Sequence, residues 1–182
     1  IEFGEDIPTA GVMVKDGDVH MLVNPDFISG LSDSHVKGLL KHECFHLAFE
    51  HCTSRQLKPH NIANIAAVLA INSDIPASEL PEGGLVPGEV FEGPGADSPL
   101  SQLIATLPKH QSQEWYFTKI MQDEEAREQG KGEGNGFDNH DGWGDMTDEE
   151  KELVKGKMRE ALKEAVGEAD RTGKWGTVGG NM

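Results

Sequence analysis

Residues 42–51 of this 182-residue chain run His-Glu-Cys-Phe-His-Leu-Ala-Phe-Glu-His. The first five place two histidines four positions apart, with a glutamate directly after the first. On a helix, four positions are about 400° of rotation, so both imidazoles leave one face roughly 6 Å apart. Two ring nitrogens at that spacing can reach one tetrahedral Zn²⁺ at about 2.0–2.1 Å. Glu43 then stands beside a metal-bound water, where a carboxylate acts as general base.

The flanks of the motif predict a helix. Ser32-Asp33-Ser34 offers side-chain oxygens for the N-terminal cap, and Val36, Leu39, Leu40 and Leu47 form an apolar stripe at helical spacing. Gly38 lies one turn before His42 on the same face. A glycine inside a helix costs up to about 1 kcal/mol. Two gains could offset that cost: room above the metal, or close contact with a neighbouring helix.

The length is enough for one domain with a real core, or a domain with an appendage. The formal net charge of −16 argues against a phosphate-backbone partner and fits a protein that attracts basic substrates or partners. No stretch approaches the length of a membrane-spanning helix and no signal peptide is visible, so no membrane association is expected. Ile1 is not an initiator, which reads as processing or trimming at the start. Cys44 and Cys52 would be separated by about 12 Å of helical rise, too far for a disulfide. A reducing, cytoplasmic location is the simpler expectation.

Taken in order, residues 10–30 predict a β-hairpin. Gly11–Val14 and Val19–Val23 flank Lys15-Asp16-Gly17-Asp18, whose Asp-Gly is a strong turn signal. Asn24-Pro25 ends the second strand. His20 and His35 are expected to be solvated. Residues 61–72 form a second helix, with Ile62, Ile65, Ala66 and Leu69 on its apolar face, closed by Ser73-Asp74-Ile75-Pro76. Residues 76–111 turn to Pro, Gly and Ser with apolar anchors, which reads as an ordered loop or lid. A third helix starts at Glu114-Trp115-Tyr116, its aromatics read as core.

Residues 129–146 are rich in glycine and acid and read as a linker or loop. Asp138-Asn139-His140-Asp141-Gly142 within it lacks the ligand alternation of a calcium loop. Thr147-Asp148-Glu149-Glu150 is a capping box that opens a helix to about Asp170, with Val154, Met158, Ala161, Leu162, Ala165 and Val166 as its buried stripe. The fold class is α+β, a small sheet or hairpin packed on the motif helix and further helices. The expected organisation is a domain over 1–128, a linker over 129–146, and a C-terminal helix over 147–182 whose end starts a linker to a further region.

Several stretches together resemble the family known as the putative metallopeptidase domain of bacterial and phage proteins, in the zincin superfamily. They are Leu39-Leu40-Lys41-His42-Glu43-Cys44-Phe45-His46, His51 with Arg55, and Asn64 through Asn72. Leu80-Pro81, Glu114-Trp115-Tyr116 and His140-Asp141-Gly142-Trp143 extend the likeness over most of the chain. The resemblance implies a zincin-like fold and zinc-dependent hydrolysis of peptide bonds. It makes His42 and His46 metal ligands and Glu43 the general base on the zinc-bound water. It also implies a peptide or protein substrate, and partnership with a von Willebrand A-type domain or a MoxR-type ATPase.

One position departs from the pattern. Similar sequences carry Asp where this chain has Val68, and an acid there would face the motif helix as the third ligand. Valine cannot bind zinc, so either another residue completes the shell or the site is weakened or dead. His51 is the first candidate, since the resembling family has histidine there too. It lies five residues beyond His46, about 140° away on a regular helix, so the helix must end by about Phe49 for His51 to turn back. Asp74 is next, and His60 and Asn64 follow. A catalytically weak or inactive scaffold, working with a C-terminal domain or an ATPase, is the alternative to the enzyme.

Overall fold

A computed structural model of the chain describes residues 1–132 and 147–172, apart from residues 6, 16, 93 and 94. The hairpin is present: β2 (Ala10–Lys15) and β3 (Asp18–Val23) pair antiparallel from Ala10↔Val23 to Lys15↔Asp18. Gly17 sits at φ 73°, in the left-handed region that glycine enters without a Cβ penalty. A further strand, β1 (Glu2–Phe3), adds in parallel to β3, giving the order β1-β3-β2. Two residues carry no readable period. His20 Nδ1–H donates to Glu2 Oε1 at 2.7 Å across this added pair.

Seven α-helices follow among the described residues. Asn24 caps α1 (Pro25–Ser29), its side chain accepting from the Asp26 and Phe27 amides. The motif helix is α2 (Asp33–Ala48), capped by Ser32 as its sequence requires. Next come α3 (His60–Asn72), a 3₁₀ turn at Ala77–Glu79, α4 (Pro99–Ile104), α5 (Gln113–Gln122), α6 (Glu124–Gly132) and α7 (Asp148–Thr172). The fold is therefore mixed α+β. No helix among the described residues is long and apolar enough to cross a membrane.

The centre of the molecule is α3. Its Ile62, Ile65 and Leu69 pack with Ile104 of α4, Tyr116 of α5 and Ala126 of α6 in one buried cluster. Ala66 and Ala67 are fully buried, and their small side chains let neighbouring elements come close. Tyr116 belongs to this core, as its aromatic context suggested; its hydroxyl donates to the Pro108 carbonyl at 2.7 Å. A second cluster joins Val12 and Val14 of β2 to Cys52 and to Val154 of α7.

Three expectations need correction. Residues 76–111 are not all loop, because Ser98 caps α4 within them. The predicted linker over 129–146 is helical at its start, since α6 runs to Gly132. Asp123 Oδ1 caps that helix by accepting from the Ala126 amide at 2.9 Å, and Gly130 is buried against Ile62. The rest of that segment, 133–146, and the calcium-like sequence in it lie outside the described residues, as does the glycine-rich end at 173–182. Third, α7 is opened by the expected capping box, with the Glu150 amide donating to Thr147 Oγ1 and the Thr147 amide to Glu150 Oε2. However, only Val154 and Met158 of its stripe reach the core, while Ala161, Leu162, Ala165 and Val166 are exposed. The stripe is continuous in sequence, but its apolar partners on the hairpin and at the end of α2 meet only Val154 and Met158.

Gly38 resolves in favour of a close contact. A methyl group there would fall 1.8 Å from the Glu79 carbonyl oxygen, so the 3₁₀ turn rests directly on the backbone of α2. Lys37 Nζ and Lys41 Nζ clamp the Glu79 carboxylate at 2.6 Å each from the same helix. Gly38→Ala is therefore expected to destabilise the protein by about 1–3 kcal/mol, the cost of overpacking, despite alanine's better helix propensity. Urea unfolding of both proteins measures this. An alanine variant as stable as wild type would show that the turn does not need the contact.

Candidate functional site

The motif helix brings its two histidines together as the spacing predicts. His42 Nε2 and His46 Nε2 stand 3.0 Å apart, with ring centroids at 4.7 Å. Two Nε2 atoms that converge so closely suit one metal ion bonded to both, with bonds of about 2.0–2.1 Å to nitrogen. His46 is fully buried and Glu43 is 1% exposed. His42 and Glu43 line a cavity of about 290 Å³ between α2, α3 and the segment that follows α3.

Asn72 fixes the state of His42. His42 Nδ1–H donates to Asn72 Oδ1 at 2.8 Å, and Asn72 Nδ2–H donates to the Leu85 carbonyl at 2.9 Å. The second bond settles which end of the amide is nitrogen. His42 must then carry its ring proton on Nδ1, and Nε2 keeps its lone pair for a metal. Sequence reasoning had Asn72 as the end of a helix and of a stretch that carries the family resemblance, and missed this role. The available signal was its position eight residues after Asn64 and four after Val68, on one face of α3.

His51 turns back, and the turn is built without glycine. The helix ends at Ala48 with Phe49 as cap, Glu50 adopts φ 60°, and the His51 amide donates to the His46 carbonyl at 3.0 Å. This left-handed residue reverses the chain and buries the His51 ring. Its Nδ1 comes to 3.3 Å from His46 Nδ1, on the side of that ring opposite the nitrogen facing His42. With its proton on Nδ1, a neutral His46 would donate to His51 and leave Nε2 for a metal, whereas with its proton on Nε2 it would donate to His42. The structure thus brings His42 and His46 together through Nε2 and sets His51 behind His46.

Asp74 and His60 do not line the cavity with His42 and Glu43. Asp74 Oδ1 accepts from His110 Nδ1–H at 2.8 Å. His60 begins α3, while Asn64 and Val68 line the cavity with His42 and Glu43. Val68 therefore does face the site, as the aligned pattern implied. Cys44 is exposed on the outer side of α2 beside Val36 and Leu40, and partial desolvation, with Glu43 nearby, pushes its thiol pKa up. Neither it nor Cys52 is in a disulfide. Among the described residues no group of three or more His, Cys, Asp or Glu could hold a metal.

A second missed element braces the His51 turn. Arg55 donates from Nε and Nη2 to the two carboxylate oxygens of Glu114, at 2.8 and 2.6 Å, and from Nη1 to the Phe49 carbonyl at 3.4 Å. The fork joins the end of α2 to the start of α5. Both residues stood in the stretches that carry the family resemblance, but their pairing spans 59 positions and cannot be read locally.

A family model described as a putative metallopeptidase domain matches residues 5–175. No curated protein and no solved structure matches the chain.

The Arg55 fork yields a pH prediction. Its hydrogen bonds hold the Glu114 carboxyl down to about 2 from 4.5. A depressed folded-state pKa gives stability that is present above 4.5 and fades as pH falls toward 2. Both side chains are about a third exposed or more, so solvent screening keeps the effect below about 1 kcal/mol. NMR titration of the Glu114 carboxyl should show a midpoint near the unperturbed value in Arg55→Ala. Equal midpoints in the two proteins would remove the fork as the cause.

Proposed function

The chain belongs to the family described as a putative metallopeptidase domain, and we propose that it hydrolyses peptide bonds, with zinc held by His42 and His46 and Glu43 as general base. The observation behind this is the pair of Nε2 atoms 3.0 Å apart, in a helix whose His42 and Glu43 open on one cavity. The α+β architecture, with its small sheet beside the motif helix, is in keeping with a zincin-like fold. A zinc ion bound there supplies Lewis acidity, acidifying a water and polarising the substrate carbonyl. Glu43 takes the proton of the attacking water on a carboxylate oxygen and passes it to the amine nitrogen as the C–N bond breaks. Asn72 holds the His42 ring in the tautomer that leaves Nε2 unprotonated. On this reading His51 supports His46 from behind and acts as a positioning residue.

A second reading has its own observation. Val68 occupies the cavity face where an acidic ligand would stand, and no three-residue donor cluster occurs among the described residues. On that reading the domain binds a partner, such as a von Willebrand A-type domain or a MoxR-type ATPase, and has little catalysis. Metal content of protein purified without added zinc separates the two: about one zinc per chain favours the enzyme.

Two sets of variants test the mechanism. Glu43→Gln should keep zinc and lower kcat by about 10²–10⁴-fold, the usual contribution of a general base. His46→Ala should lose the zinc itself. Turnover by Glu43→Gln equal to wild type, on a generic peptide, would sink the assignment of the base.

Val68→Asp probes the third ligand. A carboxylate there adds a metal–oxygen bond, so zinc should raise the melting temperature of the variant by a larger increment than it raises that of wild type. Without zinc the buried acid should destabilise the fold by about 1–3 kcal/mol. Thermal-shift titrations of both proteins read the two effects separately. An equal zinc increment would show that residue 68 does not face the bound metal.

A further inference from the structure

The cavity beside His42 and Glu43 has a chemistry of its own. Its volume of about 290 Å³ is at the lower end of ligand pockets, roughly 300–1,000 Å³, and suits a side chain or two. Apolar walls converge on it from separate elements: Leu39 of α2, Ile65 of α3, Leu85 and Phe91 of the segment after α3, and Ile104 of α4. The charged side chains that line it are both acidic, Glu43 and Glu82, and no lysine or arginine among the described residues does so.

The walls are fixed in place. Asn72 Nδ2–H holds the Leu85 carbonyl at 2.9 Å, the Gly88 amide donates to the Ile104 carbonyl at 3.0 Å, and Ser101 Oγ donates to the Gly95 carbonyl at 2.9 Å. Lys37 and Lys41 hold the preceding turn through Glu79. The pocket is therefore formed before any ligand arrives, which lowers the ordering cost of binding.

We propose that this cavity is the side-chain pocket of the peptidase site, and that it selects substrates with a large apolar residue beside the cleaved bond. The proposal rests on the metallopeptidase reading of His42 and Glu43. A leucine- or phenylalanine-sized side chain exchanges water for the apolar walls. A carboxylate side chain would meet acidic lining and no lysine or arginine among the described residues, and an ammonium would lose its hydration among hydrocarbon. An alanine side chain would leave most of the volume unfilled.

The test separates binding from turnover. Zinc-loaded Glu43→Gln protein is titrated with N-acetylated heptapeptides of glycine and serine that differ only in one central residue: Leu, Phe, Ala, Asp or Lys. NMR follows the backbone amides. Leu and Phe peptides are expected to bind at least about tenfold tighter than the other three, since even one methylene in an apolar pocket is worth about tenfold or more. The largest shifts should fall at Leu85, Phe91 and Ile104. Phe91→Ala, added to the same protein, should cut the preference to under about threefold while its zinc content is unchanged. Phe91 is half-buried on an irregular segment, and Leu80, which also lines the cavity, gives the same test as Leu80→Ala if that variant fails to fold. Equal affinities, a preference for Asp or Lys, or no binding by any peptide would overturn the pocket. Wild-type protein on the same peptides provides the separation. Cleavage without apolar preference overturns the pocket and leaves the peptidase standing, whereas preferential binding without cleavage overturns the peptidase and leaves the pocket's selectivity.

Discussion

The Asn72 amide ties the site together. It accepts from His42 with its oxygen and donates to the Leu85 carbonyl with its nitrogen, and it is 4% exposed. A buried amide must satisfy both ends, and only one orientation does so here. That single constraint fixes the tautomer of a histidine on α2, the register of α3 against α2, and the height of the wall that encloses the cavity. Removing either partner would leave a polar group stranded in a site that water reaches poorly, at a cost of about 1–3 kcal/mol. The orientation of the His42 ring and the position of the cavity wall thus both depend on one side chain.

What could be read in the sequence was local. The His42–His46 pairing, the Ser32 cap, the Asp-Gly hairpin and the Thr147–Glu150 box each involve residues within a few positions of one another, where backbone geometry dictates contact. The requirement that α2 end by Phe49 was also legible. Its means was not, because nothing in a glutamate at position 50 announces φ 60°. Contacts made at long range stayed hidden: Arg55 with Glu114, Asn72 with Leu85, and the lysine clamp on Glu79. Helix α6 was concealed by its own glycines, which resembled a linker until Gly130 proved to be the point where the helix presses on Ile62. Periodicity marked the apolar face of α7 correctly but could not say how far a partner extends along it.

The charge distribution shows how an acidic chain can still build a tight site. Net charge stands at −16, yet the carboxylates nearest the site framework are taken up by specific cations. Lys37 and Lys41 share Glu79, and their hydrogen bonds hold its carboxyl below the usual range. Arg55 does the same for Glu114. Both clamps attach irregular backbone to the ends of regular elements: the Ala77–Glu79 turn to α2, and the His51 reversal to α5. They leave the cavity itself lined by no lysine or arginine among the described residues.

Residue 68 is where these demands meet. Asn64, Val68 and Asn72 recur every four positions on α3 and face the same cavity as His42 and Glu43. The two amides of this stripe are polar and the residue between them is not. An acid at that place would strengthen a metal site by adding a donor, and would also put a charge into walls otherwise built of leucine, isoleucine and phenylalanine. Valine has the reverse effect. It extends the apolar wall toward His42 and supplies no donor. The choice between a donor and an apolar wall is therefore made at a single position, and in this chain valine makes it for the wall.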